Sequence, residues 1–317
     1  MSTSSALPPL VAIVGPTASG KSSLGIFLAK EFGGEVIACD STQLYRGFDI
    51  GTAKPSPAER ASVPHHLLDV LDATEESTAG GYRERALKVL DDLRCRSRMP
   101  VFTVGTGLYL RALLEGLADL PLRSEEMRDR LRAIAAAQGP GQLHTMLELL
   151  DPDAADQIAP ADEQKLIRAI EICLLTKKSL TEVHRSGRKP LTGWRILKIG
   201  LQPGRDALVQ RIDKRTDNML QAGWLDEVTR LLASGLPDDA KPFQFIGYRE
   251  LRSHLRGEIA LDAARAAIQQ GTRQYSKRQQ TWFRREQNVH WLNGFGDDIA
   301  VQGAAREWLA AEIVKGE

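Results

Sequence analysis

The sequence has few cysteines, no long apolar run and no excess of charge of either sign. Cys39, Cys95 and Cys173 are far apart and form no C-x-x-C pair, so neither a disulfide framework nor a zinc module is expected. We expect a reducing, cytoplasmic setting instead. Lysine and arginine number 42 against 41 acidic residues, so a nucleic acid would have to bind at a local basic patch. No apolar run is long enough to cross a bilayer, and the first ten residues lack the basic start and apolar core of a signal peptide. We therefore expect no membrane association.

One motif near the amino terminus has a specific chemistry. Residues 10–14 are apolar and predict a buried strand, and GPTASGKS follows at residues 15–22. This is the phosphate-binding loop pattern G-x-x-x-x-G-K-[ST], in the strand-to-helix setting that it requires. The predicted phosphate-binding residues are Gly15, Pro16, Thr17, Ala18, Ser19, Gly20, Lys21 and Ser22. The hydroxyl of Ser22 is suited to ligate Mg²⁺. A glycine-rich turn without a ligand is the alternative, and the preceding strand disfavours it.

Short apolar runs alternate with helical stretches in the first third of the chain, and one further apolar run comes later. The predicted strands cover 10–14, 35–40, 100–107 and 194–201, and the predicted helices cover 22–32, 79–98 and 107–115. This alternation predicts an α/β fold with a mostly parallel sheet flanked by helices, and together with the phosphate-binding loop it predicts a P-loop NTPase-like fold. Ligands bind at the carboxyl ends of such strands, so Asp40 and Thr106 are expected near the phosphate-binding loop.

The pattern changes between residues 121 and 187. Strand patterns stop there, and Ala, Leu, Arg and Glu recur at helical spacing. We therefore predict an all-helical insertion domain over 121–187, within a core formed by 1–120 and 188–317. The stretch 241–285 of this core is locally basic, with ten lysines and arginines against three acidic residues.

Asp40 is the first candidate for a chemical role outside the loop. A carboxylate at the end of a strand could accept a proton from a nucleophile. From position alone, a side chain that caps the following turn is an equally good interpretation. The N-K-x-D motif of GTPases and the aspartate-ended strand of motor ATPases are absent, which leaves the small P-loop transferases. In these proteins the loop holds a donor and the second strand presents the acceptor.

Six segments, in the same order along the chain, resemble the tRNA dimethylallyltransferases, also called tRNA isopentenyltransferases. They are GPTASGKS (15–22), ACDSTQLYRGFDIGTAKP (38–55), PHHLLDV (64–70), VGTGLYLRALLEGL (104–117), FIGYRE (245–250) and TRQYSKRQQTWFR (272–284). The resemblance implies transfer of a dimethylallyl group from dimethylallyl diphosphate to N6 of adenosine 37, next to the tRNA anticodon, with Mg²⁺ as cofactor. It also implies that the phosphate-binding loop holds the diphosphate of the prenyl donor, although such loops are often ATP sites. The expected partners are the anticodon stem-loop of tRNA and dimethylallyl diphosphate, and the protein is expected to be a monomer.

The resemblance also assigns roles to side chains. Asp40 matches a general base, Thr106 matches a hydroxyl that contacts the target adenosine, and Arg215 matches an arginine that binds the diphosphate. Thr106 could instead cap the helix predicted from residue 107, and Arg215 could be a solvated surface residue. The implied tRNA contacts are Asp40, Ser41, Thr42, Gln43, Thr106, Arg128, Gln164, Lys165, Leu166, Ile167, Arg168, Gln244, Phe245, Ile246, Gly247, Tyr248, Arg249, Lys277, Arg278, Gln279, Gln280, Thr281, Trp282, Phe283 and Arg284.

Two further expectations concern residues 273–284. Arg273, Lys277 and Arg284 fall near one helical face and predict a stripe that faces phosphates. Trp282 and Phe283 are expected in the core rather than stacked on bases.

Three other functions stay open. A small-molecule P-loop kinase would turn over ATP and would not need the basic stretch. An RNA-binding protein without catalysis would not need Lys21, Ser22, Asp40 and Thr106 together. An isopentenyltransferase acting on free adenine nucleotides would need neither the insertion nor the basic stretch, both of which suit a stem-loop.

Overall fold

The computed structural model describes residues 7–118, 120, 121, 123–185 and 188–315. The chain divides into two compact units. The core unit combines the described residues up to Arg111 with those from Thr192 onward, and the helical unit is Ala112–Leu191. The predicted limits of the insertion, 121 and 187, fall inside the helical unit.

The core unit contains one sheet, in which the described strands pair in parallel. The strands are β1 (Pro9–Val14), β2 (Gly34–Cys39), β3 (His65–His66), β4 (Met99–Val104), β5 (Arg195–Leu201) and β6 (Val289–Leu292). Their order across the sheet is β3-β2-β4-β1-β5-β6. Val11 of β1 lies opposite Val101 of β4 on one side and Leu197 of β5 on the other. The predicted α/β class with a parallel sheet is confirmed.

Helices account for most of the remaining described chain. They are α1 (Lys21–Glu31), α2 (Pro57–Ser62), α3 (Ala79–Cys95), α4 (Gly107–Glu115), α5 (Glu125–Gln138), α6 (Pro140–Leu150), α7 (Pro152–Ala155), α8 (Glu163–Thr176), α9 (Leu180–Arg185), α10 (Arg205–Gln221), α11 (Trp224–Ala233), α12 (Tyr248–Leu255), α13 (Leu261–Phe283) and α14 (Ile299–Val314), with a 3-10 helix at Lys241–Gln244. Within the described ranges, none of these helices has both the length and the apolar composition of a membrane span.

β1 lies in the interior of the sheet because its sequence is apolar throughout. The side chains of Leu10–Val14 are fully buried on both faces of the strand, which requires helices on both sides of the sheet. On one side, Val11 and Ile13 share a core with Leu24 of α1 and Leu309 of α14. This packing holds the carboxyl end of β1, and the phosphate-binding loop that follows it, in a fixed position.

The helical unit has a hydrophobic core of its own. Its centre consists of Leu131 of α5, Leu143 and Leu147 of α6, and Leu166 and Ile170 of α8. No strand occurs among the described residues of this unit. The prediction of an all-helical insertion is therefore confirmed.

Two strands, β3 and β6, were not predicted from the sequence. β3 has only two residues, both histidines, and β6 has four, so neither is long enough to show a periodic pattern. Both lie at the edges of the sheet, where short strands are common.

Candidate active site

The loop between β1 and α1 has the backbone geometry of an anion site. Gly20 precedes α1 in the left-handed region (φ +88°), and a Cβ at this position would lie 2.6 Å from the backbone nitrogen of Gly296. The N–H of Gly296 in turn donates to the carbonyl oxygen of Ser19 at 2.8 Å. The first N–H groups of α1 and its positive dipole end are thereby available to an anion.

Lys21 is folded back over this loop. Its Nζ donates to the carbonyl oxygens of Gly15 at 2.9 Å and Pro16 at 2.8 Å. Burial lowers the pKa of Lys21 to about 7, with Asp40 opposing the shift and Arg215 adding to it. Near neutral pH the free protein thus holds Lys21 in both forms, and a bound anion would favour the charged one.

A cavity of about 790 Å³ lies beside the loop. Arg211, Lys214 and Arg215 of α10 line its wall, opposite residues 17–23. Burial and the charge of Arg211 lower the pKa of Arg215, whereas Asp40 raises it. Cations and free N–H groups on facing walls form the environment that a diphosphate requires.

Asp40 lies directly after β2 and lines this cavity. Its Oδ1 accepts the N–H of Thr42 at 2.9 Å and the Thr42 hydroxyl at 2.7 Å. Its Oδ2 lies against Gly105, where a Cβ would approach to 2.0 Å, and makes no hydrogen bond within the described part of the chain. The turn-capping role of Asp40 is confirmed, and its second oxygen is available to a substrate.

Thr106 joins the ends of two strands. Its Oγ1 accepts the N–H of Ser41 at 2.9 Å and donates to the Ser41 hydroxyl at 3.2 Å. The N–H groups of Gly105 and Thr106 both donate to the carbonyl oxygen of Cys39. Within the described chain, the Thr106 hydroxyl thus bonds the loop after β2 instead of the first N–H groups of α4. Asp40 and Thr106 were both expected near the phosphate-binding loop; among the described residues Asp40 lines the cavity beside that loop, whereas Thr106 bonds Ser41, the residue after Asp40.

A second cavity, of about 290 Å³, adjoins the first. Thr17, Asp40 and Arg215 line both of them. Its other walls are largely apolar and include Ile212, Met219, Trp224, Phe245, Ile246 and Ile268. A cationic compartment and an apolar one therefore meet at Asp40.

One segment, residues 51–55, contributes to the walls of both cavities. Lys54 fixes it through an ion pair with Asp69 at 2.5 Å. The side-chain amide of Gln43 donates to two carbonyl oxygens of the segment, at 3.1 Å each. The amide N–H groups of Gln43, a residue predicted to contact tRNA, thus hold the cavity wall in place.

Several residues predicted to contact tRNA are buried. Leu166 and Ile167 pack in the core of the helical unit, and Tyr248 and Phe283 are buried in the core unit. Arg128 is buried as well and pairs with an acidic neighbour on α5. The exposed members of these segments are Gln164, Lys165, Gln244, Arg249, Lys277, Arg278, Thr281, Trp282 and Arg284, and the half-buried Phe245 and Ile246 line the second cavity.

Two expectations for α13 need correction. Phe283 is in the core as predicted, but Trp282 is 37% exposed. One edge of its indole lies against Gly107, where a Cβ would come within 2.1 Å of Nε1. Arg273 pairs with Asp213 of α10 at 2.6 Å, so its charge is largely neutralised within the protein.

Arg211 and Lys214 were missed by the sequence analysis. Both line the cationic cavity beside Arg215. The signal was present, because residues 211, 214 and 215 are three and four apart and share one helical face. Arg211 is held by an ion pair with Asp297 at 2.8 Å and lies over the ring of Phe295.

Comparison with known proteins agrees with this geometry. The family model described as IPP transferase matches residues 43–286, and the model described as isopentenyl transferase matches residues 8–72. The chain is 52% identical over 300 residues to the tRNA dimethylallyltransferase of Koribacter versatilis, with 95% of this chain and 97% of the relative covered.

Solved structures give the same result. The tRNA isopentenylpyrophosphate transferase of Bacillus halodurans is 36% identical, with a TM-score of 0.72 over 97% of both chains. A eukaryotic dimethylallyltransferase acting on tRNA is 26% identical, with a TM-score of 0.78 over 96% of this chain and 77% of that one. The resemblance carried by the six segments is confirmed, and the chain belongs to the IPP transferase family.

Proposed function

We propose that the protein transfers a dimethylallyl group from dimethylallyl diphosphate to N6 of adenosine 37 in tRNA and releases diphosphate. One observation carries this proposal: a cationic cavity and an apolar cavity share Asp40 and Arg215. The first suits the diphosphate, the second suits uncharged groups, and the reacting atoms would meet between them.

The diphosphate would bind between the phosphate-binding loop and α10. As the bond between the allylic carbon and oxygen breaks, negative charge grows on the diphosphate. Lys21, Arg215 and the first N–H groups of α1 surround the cationic cavity and would stabilise that charge. Arg211 and Lys214 add to the positive potential of the same wall.

Mg²⁺ is the proposed cofactor. The Ser22 hydroxyl is exposed and lines the cationic cavity. Among the described residues, no group of three or more His, Cys, Asp and Glu side chains could hold a metal ion. Mg²⁺ in phosphate sites is held by few protein groups, together with substrate phosphate and water, so the Ser22 hydroxyl would be a sufficient protein ligand. When bound, the ion would neutralise part of the diphosphate charge.

The acceptor would enter through the apolar cavity. Adenine N6 is a weak nucleophile because its lone pair is delocalised into the ring, so loss of a proton during attack assists the reaction. Oδ2 of Asp40 would take this proton as the N6–carbon bond forms and the carbon–oxygen bond breaks. Thr106 would help to place the adenosine. The base must leave the anticodon stack to reach this site, which costs a few kcal/mol.

The tRNA contacts would come from both units. We propose that Gln164 and Lys165 of the helical unit contact the anticodon stem-loop. In the core unit, Lys277 and Arg278 on α13 and Arg284 directly after it supply exposed positive charge. We propose that the protein acts as a monomer in the cytoplasm, where its tRNA substrate is found.

Mass spectrometry tests the proposal directly. The protein is incubated with dimethylallyl diphosphate, Mg²⁺ and an anticodon stem-loop, which is then digested to nucleosides. We expect adenosine 37 to gain the mass of one C5H8 unit, and a stem-loop with guanosine at that position to gain nothing. Failure to modify the stem-loop, together with transfer to free adenosine monophosphate or rapid ATP turnover, would refute it.

A further inference from the structure

Gln279 connects two parts of the active site that are far apart in sequence. The residue lies on α13 and is buried. Its Oε1 accepts the N–H of Thr17 at 2.6 Å, and its Nε2 donates to the carbonyl oxygen of Gly105 at 2.7 Å. One side chain thus bonds the phosphate-binding loop and the end of β4 at the same time.

Only an amide of this length makes both bonds. The Thr17 N–H requires an acceptor and the Gly105 carbonyl requires a donor. A glutamate lacks the donor, a lysine lacks the acceptor, and a methionine has no donor and only a weak sulfur acceptor. The two partners also define which way the amide is turned.

Both partners lie next to the proposed chemistry. Thr17 lines both cavities, and its N–H is engaged by Gln279 instead of pointing to a ligand. Gly105 lies directly against the Asp40 carboxylate, where a Cβ would come within 2.0 Å of Oδ2. Tyr275, one turn earlier on α13, donates to the same Gly105 carbonyl at 3.1 Å. A displacement of α13 would therefore act on the donor loop and on the neighbour of the base together.

The opposite face of α13 is exposed and basic. Lys277 and Arg278 are exposed there, and the exposed Arg284 follows the last residue of the helix. The proposed function places the tRNA backbone on this face. A helix with RNA on one side and the active-site loops on the other is suited to couple the two binding events.

We infer that Gln279 is a positioning residue that couples tRNA binding on α13 to the placement of the diphosphate loop and of Asp40. This inference rests on the proposed function. It gives Gln279 a role inside the protein instead of a direct contact with RNA. By linkage, tRNA should tighten donor binding and the donor should tighten tRNA binding by the same factor, and both effects should depend on this amide.

The test compares wild type with Gln279→Met. The binding of an unreactive donor analogue, dimethylallyl thiodiphosphate, is measured with and without a saturating anticodon stem-loop. In wild type we expect the stem-loop to tighten analogue binding at least fivefold. In Gln279→Met we expect this factor to fall to about one, stem-loop affinity to stay within threefold, and kcat to fall at least tenfold.

Gln269→Met is the matched control. Gln269 lies on the same helix, is partly buried and donates to the carbonyl oxygen of Asp213 on α10 at 3.4 Å, with no bond to the two active-site loops within the described residues. We expect this variant to keep the wild-type coupling factor and kcat. A general loss of packing on α13 would affect both variants alike.

A second variant keeps the test decisive if Gln279→Met does not fold. Gln279→Glu retains an acceptor for Thr17 and loses the donor to Gly105, so we expect reduced coupling and lower kcat with stem-loop binding retained. Coupling equal to wild type in either folded variant, or none in wild type, overturns the inference. Wild-type prenyl transfer is measured in parallel, so failure of the proposed function is seen separately.

Discussion

Asp40 is the side chain on which the proposed reaction depends most. Its two oxygens have separate tasks, because Oδ1 holds the turn through Thr42 and Oδ2 is left for a substrate. Asp40→Asn keeps the size of the group, and its side-chain oxygen can still accept from Thr42. We expect this variant to bind tRNA nearly as wild type and to lose about a hundredfold or more in kcat, since a positioned base contributes ~10²–10⁴-fold. Single-turnover transfer combined with a tRNA-binding assay measures both. Turnover within a few fold of wild type would show that another group takes the proton.

Lys21 predicts a pH dependence of donor binding. Burial lowers its pKa to about 7 in the free protein, and diphosphate should bind the protonated form. The contribution of Lys21 to the affinity for inorganic diphosphate should therefore be greatest below pH 7 and fall by up to about tenfold per pH unit above it. Lys21→Arg keeps a positive charge throughout this range. Because the titration of the ligand itself is common to both proteins, it cancels in the ratio of their affinities.

Calorimetry with inorganic diphosphate between pH 6 and 9 gives that ratio. We expect the advantage of wild type over Lys21→Arg to shrink steadily as the pH rises. A ratio that is constant with pH would mean that Lys21 remains charged throughout.

β2 carries a stabilising group at the end opposite to Asp40. Glu35 is buried near the start of the strand, and its carboxylate accepts from Arg96 at 2.5 Å and bonds His66 at 2.6 Å. These bonds, with that of Arg96 the largest cause, lower the pKa of Glu35 from 4.5 to about 2. The lowered pKa contributes stability that is complete above pH 4.5 and is lost as the pH falls through 2.

Glu35→Gln should therefore lower the free energy of unfolding at pH 7 by about 3 kcal/mol, at 1.4 kcal/mol for each pKa unit. Urea denaturation measures this difference, which should become smaller at pH 3. Asp92→Asn removes an exposed partner of the same Arg96 and should cost much less stability, because water screens an exposed ion pair. Equal losses in both variants would place the stabilisation in the arginine instead of the buried carboxylate.

The sequence predicted the elements whose signals are local. The apolar run of β1, the eight loop residues and the carboxylate after β2 follow one another within short stretches, so pattern and spacing were sufficient. The role of Gln279 could not be predicted, because its partner Thr17 is 262 residues away. Its surrounding segment, TRQYSKRQQTWFR, contains basic residues that indicate an RNA surface, whereas the glutamine itself faces inward. β3 was missed for a different reason, since its two residues carry no periodicity.

The charge of the protein as a whole is nearly balanced, at +1. Long-range attraction of tRNA must therefore arise from local surfaces, and one is formed by the exposed Lys277 of α13 and the exposed Arg284 that follows this helix. We expect Lys277→Ala combined with Arg284→Ala to weaken tRNA binding and to reduce the slope of log affinity against log salt by about one to two.

Filter binding over a range of salt concentrations measures this slope. Lys30→Ala with Lys88→Ala removes two exposed cations from α1 and α3 and should leave the slope as in wild type. An unchanged slope in the α13 variant would assign the phosphate contacts to other surfaces.

Because Gly296 contacts the phosphate-binding loop, truncated genes of this family can be mistaken for functional ones. Gly296 lies beyond all six family segments, yet its N–H bonds Ser19 and its backbone leaves no space for a side chain at Gly20. A gene interrupted by a stop codon just after Arg284 would still encode all six segments. Its product would lack β6, α14 and the contact of Gly296 with the phosphate-binding loop. Gene-finding by motif would count such an allele as intact, although its product should bind the prenyl donor poorly.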